Sequence, residues 1–346
     1  MKGTSSAPAL SIHTQSLSKW YSHVIALQNV SLHLEAGIWG LLGPNGSGKT
    51  TLLRLAAGQL KPSVGHIEVC GTRPFANPDA LKLIGLCPEA DALYDELTSF
   101  EFITIMGKLS GMNHNEAASR SRAMLTKLGL ADAKDRKIGT YSRGMRQRVK
   151  LAQAMVHEPK ILLLDEPLTG TDPTSRHVIL DAIRHHADRG GLVVFSTHVL
   201  HEVEALTDQV LLLARSQLVA QGSIQEIRLL LDEHPHQIHV QCTKARDLAS
   251  TLISETSISA IRFASLTTMV VDTHQPELTY AVLNQKLLAQ DYGLESITSP
   301  DATLQTLFHY LVQRGDRLTL PKGTASSSLR PSPSPSTPST PETVAP

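Results

Sequence analysis

The residues best suited to chemistry form one short glycine-rich stretch, Gly43-Pro44-Asn45-Gly46-Ser47-Gly48-Lys49-Thr50-Thr51. Glycines permit backbone dihedral angles that are closed to other residues, so consecutive N–H groups can point at phosphate oxygens. Lys49 adds a positive charge for the terminal phosphates of a nucleotide, and Thr50 adds a hydroxyl for Mg²⁺. An apolar run precedes the stretch and a helix-like sequence follows it. This order of strand, loop and helix predicts a phosphate-binding loop.

Other polar residues with catalytic potential follow two apolar runs further along the chain. Residues 161–164 lead into Asp165-Glu166, and residues 192–195 lead into Ser196-Thr197-His198. Short, uninterrupted apolar runs are typical of strands buried on both faces of a parallel sheet. Ligand sites in such sheets lie at the carboxyl ends of the strands. The sequence therefore predicts that these side chains converge on the phosphate loop.

The remaining elements must position these groups. Alternating apolar and polar residues over 10–34 predict a short β-sheet, with Trp20 and Tyr21 in a turn between two strands. Tyr21 is open to two interpretations, ordinary edge packing or a platform for an adenine ring. Apolar residues at helical spacing over 97–157 predict a helical insertion in an α/β domain that spans residues 10–225.

A second domain is predicted to follow the α/β domain. The pattern over residues 226–316 has the order βαββαβα, ending in a helix over 302–313, and predicts a small ferredoxin-like accessory module. Its role is interpreted as structural or regulatory. Residues 1–9 are small and polar, which predicts a flexible N-terminus. The Pro/Ser/Thr-rich residues 317–346 are predicted to be a disordered tail.

Composition narrows the possible partners. The 346 residues include 32 basic and 32 acidic side chains, so no general field attracts nucleic acid or anionic lipid, and no nucleic-acid partner is expected. The sequence has no apolar run of membrane-spanning length and no signal-peptide pattern, which predicts a cytoplasmic chain that reaches a membrane only through a partner. The three cysteines lack metal-site spacing and are expected to be reduced thiols.

Five motifs, in this order, resemble those of an ATP-binding-cassette (ABC) ATPase subunit over about residues 8–225. Residues 43–50 resemble the Walker A loop, and residues 161–167 resemble Walker B. Tyr141-Ser142-Arg143-Gly144-Met145 lies where the family has its signature, Gly170-Thr171-Asp172-Pro173 where it has its D-loop, and His198 where it has its switch histidine. The resemblance implies an α/β P-loop fold with a parallel core sheet, an antiparallel β subdomain and a helical insertion.

The resemblance also implies roles for single residues. Asp165 would hold the water shell of Mg²⁺, Glu166 would act as general base, and His198 would hydrogen-bond the γ-phosphate of ATP. Tyr21 would stack on the adenine ring. Ser142 and Gly144 would bind the γ-phosphate held by a second subunit, so two cassettes would close head to tail around ATP.

The chain departs from the family pattern at three positions, of which Glu89 is the most consequential. The family has Gln there, and Glu89 brings an extra negative charge near the γ-phosphate; it is the third candidate metal ligand with Thr50 and Asp165. Met145 replaces the signature's Gln, and Thr171 replaces the D-loop's Leu.

The form of the signature and the C-terminal module resemble exporters whose permease is a separate chain. The function predicted is therefore that of an ATP-hydrolysing subunit that acts on the cytoplasmic face of the cell membrane. It would pair with a second ATPase subunit, which is expected to be a copy of this chain, with a related chain as the alternative. It would drive export of a drug, lipid, polysaccharide or peptide through contacts near residues 89–97. The alternatives are a soluble ABC ATPase acting on ribosomes or DNA, and a P-loop kinase. A basic cluster is interpreted as a solvated helix face, with a nucleic-acid patch as the alternative: Arg143, Arg146, Arg148 and Lys150.

Overall fold

The structure is a computed structural model that describes residues 10–229 and 236–299. The predictions for residues 1–9, 302–313 and 317–346 lie outside these residues.

The N-terminal half begins with a small antiparallel sheet of strand order β2-β1-β4. Its strands are β1 (Ser11–Tyr21), β2 (Val24–Glu35) and β4 (Val64–Val69). Trp20 and Tyr21 end β1 instead of lying in a turn, because they pair with Ile25 and Val24 across a tight hairpin. The expectation for these two residues was wrong by two positions.

The central element is a six-stranded sheet of order β5-β6-β7-β3-β8-β9. Its strands are β3 (Gly37–Leu42), β5 (Ile84–Cys87), β6 (Ile161–Asp165), β7 (Leu192–Thr197), β8 (Gln209–Ala214) and β9 (Gln217–Ser223). All pairs are parallel except β8 with β9. Every residue of β6 and β7 is buried, as the uninterrupted apolar runs predict.

Helices cover both faces of this sheet. They are α1 (Lys49–Ala56), α2 (Pro78–Leu81), α6 (Pro173–Asp188), α7 (Leu200–Glu204) and α8 (Ile224–Leu229). Successive residues of β6 belong to different cores: Leu162 and Leu164 pack with the helical insertion, whereas Leu163 packs with α1 and the antiparallel sheet. The central sheet therefore joins two hydrophobic layers.

The helical insertion comprises α3 (Ser99–Leu109), α4 (His114–Lys127) and α5 (Arg143–Met155). Helix α3 begins at a capping box in which the Thr98 hydroxyl accepts from the Glu101 N–H and the Glu101 carboxylate accepts from the Thr98 N–H. Ser142 caps α5 in the same way by accepting from the Met145 N–H. The insertion packs in one continuous core with the sheet.

The C-terminal residues form a separate core. Its elements are β10 (His236–Cys242), α9 (Ala245–Leu252), β11 (Ala260–Phe263), β12 (Thr268–Thr273), α10 (Pro276–Ala289) and β13 (Leu294–Thr298). The sheet is antiparallel throughout, with order β11-β12-β10-β13.

The three cysteines, Cys70, Cys87 and Cys242, are free and buried. Burial raises the pKa of the Cys87 thiol to about 12, so this group stays protonated at neutral pH. Within the described residues, no helix combines the length and apolar character needed to cross a bilayer.

Candidate functional site: a phosphate loop at the carboxyl edge of the parallel sheet

The phosphate loop joins the end of β3 to the start of α1. Gly48 precedes α1 with φ of 105°, in the left-handed region, and a Cβ there would lie 2.5 Å from the Ala26 carbonyl oxygen. Only glycine fits this position. A cavity of about 400 Å³ lies over the loop, lined by Val24, Ile25, Ala26, residues 45–51, Glu89 and Glu166. The structure thus brings most of the predicted loop residues to one cavity. Gly43 and Pro44 do not line the cavity, and their carbonyl oxygens contact Lys49.

Lys49 is the first residue of α1 and is buried. Its ammonium group donates to the carbonyl oxygens of Gly43 at 2.7 Å and Pro44 at 3.3 Å. It also lies 3.5 Å from the Glu166 carboxylate, and both side chains are only 7% exposed. The charge of Lys49 is therefore held at the floor of the loop, in a poorly hydrated setting where it acts strongly on a phosphate.

Asp165 is the last residue of β6, Glu166 follows it, and His198 follows β7, as the sequence predicts. His198 Nδ1 lies 3.2 Å from both carboxylate oxygens of Glu166. The Thr169 hydroxyl donates to Glu166 Oε2 at 3.1 Å. The Glu166 carboxylate therefore lies between Lys49, His198 and Thr169.

The backbone of Glu166 has φ of 48°, in the left-handed region that non-glycine residues rarely adopt. Such a conformation costs about 1–2 kcal/mol and needs support from its surroundings. Gln147 supplies part of this support by donating to the Glu166 carbonyl oxygen at 3.1 Å. With this backbone conformation, the Glu166 side chain lines the cavity.

Ser196 is a site residue whose role the sequence did not indicate. Its fully buried hydroxyl donates to Asp165 Oδ1 at 2.6 Å and accepts from the Glu166 N–H at 2.9 Å. It thus connects the end of β7 to Asp165 and Glu166. Ser196 lies opposite Asp165 because of the register between β6 and β7. The spacing of the motifs along the sequence does not reveal this register.

Glu202 is a second residue that motif reasoning missed. It is buried, accepts from the Thr197 hydroxyl at 2.6 Å and lies 3.2 Å from Arg176. The Thr197 hydroxyl in turn accepts from the Val199 N–H at 3.0 Å. This chain of contacts fixes the turn that carries His198.

The basic cluster on α5 is not the solvated helix face that the sequence analysis expected. The buried Lys150 donates to the carbonyl oxygens of Pro88 at 3.0 Å and Glu89 at 2.8 Å. Arg146 contacts the carboxylates of Asp91 at 2.6 Å and Asp95 at 2.5 Å. That interpretation was wrong for these residues, because helix α5 packs on the loop that follows Glu89.

The signature residues lie apart from this cavity. Ser142 is exposed at the start of α5, and a Cβ on Gly144 would lie 2.4 Å from Ser175 Oγ and 2.5 Å from Asp172 Oδ2. Asp172 caps α6 by accepting from the hydroxyl and N–H of Ser175, and these bonds hold the pKa of its carboxyl below the usual value. The signature therefore packs directly on the D-loop.

Tyr21 lies on the hairpin that contributes Val24, Ile25 and Ala26 to the cavity, but it is not itself a lining residue. Its ring is 43% exposed, with Lys19 Nζ 5.4 Å from the ring centroid. An exposed ring at this position is compatible with edge packing and with stacking on an adenine ring.

The residues of the cavity fit a nucleotide triphosphate. Ser47 Oγ is buried within the loop and has no hydrogen-bond partner in the described part of the chain. A buried hydroxyl without a partner is costly unless a ligand atom completes its bonding. An ammonium group, the N–H groups of a glycine-rich loop and a helix N-terminus are the kinds of group that bind phosphate.

Comparison with known proteins agrees with this geometry. The family model "ABC transporter" matches residues 27–169. The chain is 42% identical over 215 residues to the uncharacterized ABC transporter ATP-binding protein YxlF of Bacillus subtilis, covering 62% of this chain and 71% of that protein. This chain belongs to the ABC transporter ATP-binding proteins.

A second relative of this ABC ATPase is the daunorubicin/doxorubicin resistance ATP-binding protein DrrA of Streptomyces peucetius, 33% identical over 71% of this chain and 76% of that protein. The fold matches the ATP-binding cassette MJ0796, solved as a dimer in a post-hydrolysis state bound to ADP and Pi. The TM-score is 0.57 at 22% identity, over 62% of this chain and 98% of that chain. The match to MJ0796 confirms the predicted fold class, and membership of the ABC transporter ATP-binding proteins confirms the predicted ATPase assignment. The alternative of a non-transport ATPase acting on ribosomes or DNA gains no support.

Replacing Ser196 by Ala tests whether its hydroxyl positions the two acidic residues. We expect nucleotide affinity to persist and kcat for ATP hydrolysis to fall by about tenfold or more, because the buried Glu166 N–H loses its acceptor, at a cost of about 1–3 kcal/mol. The matched control is Ser121→Ala, which removes another fully buried hydroxyl, bonded to Ala117 and Thr104 in the insertion. Equal kcat losses in the two variants would assign Ser196 a purely structural role.

Proposed function

We propose that this ABC ATPase powers export of a drug, lipid, polysaccharide or peptide through a separate membrane permease. The observation that carries the ATPase mechanism is the Glu166 carboxylate, held between Lys49 and His198 at the phosphate cavity. The name of DrrA, a daunorubicin/doxorubicin resistance protein, supports a drug as the cargo class. We place the protein at the cytoplasmic face of the cell membrane, bound to its permease.

Each group at the cavity has a part in hydrolysis. Lys49 and the loop N–H groups bind the terminal phosphates of ATP, and the N-terminus of α1 adds its partial positive charge. Water attacks the γ-phosphorus, the bond from that phosphorus to the ADP oxygen breaks, and Glu166 accepts the proton of the water. His198 orients the Glu166 carboxylate and contacts the γ-phosphate. Most of the rate gain comes from positioning and charge.

The oxygen donors at the cavity fit Mg²⁺. Thr50 and Glu89 line the cavity, and Asp165 ends the neighbouring strand β6. These three would supply hydroxyl and carboxylate oxygens, which this ion prefers. The described residues contain no cluster of three or more His, Cys, Asp or Glu side chains that could hold a metal alone. Phosphate and water oxygens would therefore complete the coordination, and Mg²⁺ would neutralise charge on the β- and γ-phosphates.

We further propose that two copies of this chain close head to tail. Ser142 and Gly144 do not line their own chain's cavity, and Ser142 is exposed and thus accessible to a nucleotide held by a partner. Asp172 lies against Gly144, so the D-loop shares this surface. Tyr21 would stack on the adenine ring at the open side of the cavity. The dimeric state of MJ0796 supports such an arrangement.

Two domains are proposed. Residues 10–225 form the ATPase cassette, with the helical insertion over 97–157, and residues 226–316 form a ferredoxin-like accessory module. The antiparallel strand order β11-β12-β10-β13 and the element order β-α-β-β-α-β support the second assignment. No constellation of catalytic side chains is found in its described part, so a structural or regulatory role is proposed.

The permease is proposed to dock beside Glu89. A groove of about 280 Å³ runs between the core and α3, with Leu86 and Pro88 on one side and Met106 and Leu109 on the other. Leu109 is 76% exposed, and Tyr94, in the segment that follows Glu89, is 64% exposed. Exposed apolar side chains along a groove are typical of a site for a partner helix.

Glu166→Gln tests the proposed general base. Hydrolysis should fall by about 10²- to 10⁴-fold while Mg-ATP still binds, because the amide cannot take the proton. We expect the variant to persist as an ATP-bound dimer, which sedimentation velocity measures. Glu68→Gln, the same chemical change on β4, is the control. Undiminished turnover in Glu166→Gln would remove Glu166 from the mechanism.

Glu89→Gln tests the departure from the family pattern. If Glu89 only adds negative charge near the phosphates, the variant should bind ATP about two- to fivefold more tightly, since exposed charge pairs contribute about 0.2–1 kcal/mol. If Glu89 is a metal ligand, the variant should instead need more Mg²⁺ for half-maximal hydrolysis. A Mg²⁺ titration of both forms measures this difference, and an unchanged requirement would contradict metal binding by Glu89.

Leu109→Glu tests the docking groove. A charge at this exposed apolar position should abolish co-purification with an integral-membrane permease from detergent-solubilised membranes, without changing ATP affinity. Ile105→Glu is the matched control, because Ile105 lies on the same helix, is 40% exposed and does not line the groove. Retention of the permease by Leu109→Glu would exclude this groove as its contact.

A further inference from the structure

A second and larger cavity, of about 500 Å³, lies at the opposite edge of the central sheet. Its walls come from α4, from the end of α6 and from the segment that joins α5 to β6. Lys160 and Gly191, which line it, immediately precede β6 and β7, whereas the phosphate loop meets the other ends of these strands. Strands of five or six residues separate the two sites by roughly 15–20 Å. The cavity is therefore no part of the nucleotide site.

The cavity has an apolar wall and a cationic rim. Met124, Met155 and Val156 form part of the wall. We use the term cationic rim for Lys127, Lys160 and Arg189, which also line the cavity. Within residues 10–229 and 236–299, no carboxylate lies within ion-pair distance of any of these three side chains.

The one carboxylate among the lining residues is already paired. Glu158 lies 3.0 Å from Arg120 Nη1, and Arg120 also contacts Glu116 at 3.1 Å. Arg120 therefore has two carboxylate partners, and in the described part of the chain neither carboxylate forms an ion pair with the cationic rim. The pKa of Lys127 is lowered, first by burial and then by the positive charge of Arg189. An anion between Lys127 and Arg189 would remove this repulsion.

We propose that this cavity binds a small amphiphilic organic anion, a molecule with a carboxylate or phosphate head and an apolar body. The cationic rim would bind the charged head through charge-assisted hydrogen bonds, and the apolar wall would contact the body of the molecule. The cavity volume lies in the range of small-molecule sites, roughly 300–1,000 Å³, which favours a single compact ligand over an extended peptide. This inference does not depend on the assignment of Glu166 or on the direction of transport.

The test uses octyl phosphate, below its micelle concentration, titrated calorimetrically into the full chain with the phosphate loop saturated by Mg-ADP. Octyl glucoside supplies the same tail without charge, and inorganic phosphate supplies the head without the tail. We expect one octyl phosphate per chain, bound at least about tenfold more tightly than either control compound.

Two variants and one control locate the binding. Lys127→Glu/Arg189→Glu should weaken octyl phosphate binding by about tenfold or more. Ala123→Trp, which fills the cavity without altering charge, should do the same. The control Arg73→Glu/Lys108→Glu makes an equal charge change at exposed positions outside the cavity and should bind as wild type. Circular dichroism and Mg-ADP binding establish that each variant folds.

The proposal fails if octyl phosphate does not bind at millimolar concentration or if either control compound binds equally well. It also fails if Ala123→Trp and the double charge reversal both retain full affinity. Because Ala123→Trp changes no charge, its result stands even if the charge reversal disturbs folding.

Discussion

The structure depends on one buried charge arrangement, in which the Glu166 carboxylate lies against the Lys49 ammonium group. Both side chains are 7% exposed and 3.5 Å apart. Removing one partner of a buried ion pair costs about 3–5 kcal/mol, because the other charge is then uncompensated. Glu166 follows β6, whereas Lys49 follows β3 and the phosphate loop. The left-handed backbone at Glu166 adds strain. The ion pair therefore requires a sheet that holds both residues in place.

The sheet order supplies that constraint. Strand β7 lies between β6 and β3, so His198 follows the strand next to both the acidic residues and the phosphate loop. Ser196 then bonds across to Asp165 and Glu166, and Gln147 reaches Glu166 from the insertion. Lys150 on the same helix holds the backbone of Glu89. Helix α5 therefore connects the signature residues, the proposed general base Glu166 and the loop proposed to meet the permease.

Much of this site could be predicted from the sequence, because glycine spacing and apolar strands followed by acidic residues are local patterns. Residues 43–51, Asp165, Glu166 and His198 were identified in this way. The roles of Ser196, Glu202 and Lys150 depend on pairing between distant segments, which no local pattern reports. Strand β9 was also missed, since its hairpin turns at Arg215 and Ser216, non-glycine residues with positive φ that give no turn signal.

The central claim is that Lys49 and the glycine loop bind the terminal phosphates of ATP within reach of Glu166. The most direct measurement is the equilibrium affinity for Mg-ATP of the wild type and of Lys49→Ala, with the exposed Lys61→Ala as control. Hydrogen bonds from a charged donor contribute about 1.5–3 kcal/mol, so the account predicts affinity at least about tenfold weaker for Lys49→Ala and unchanged for Lys61→Ala. A folded Lys49→Ala protein that binds Mg-ATP as tightly as the wild type would contradict it.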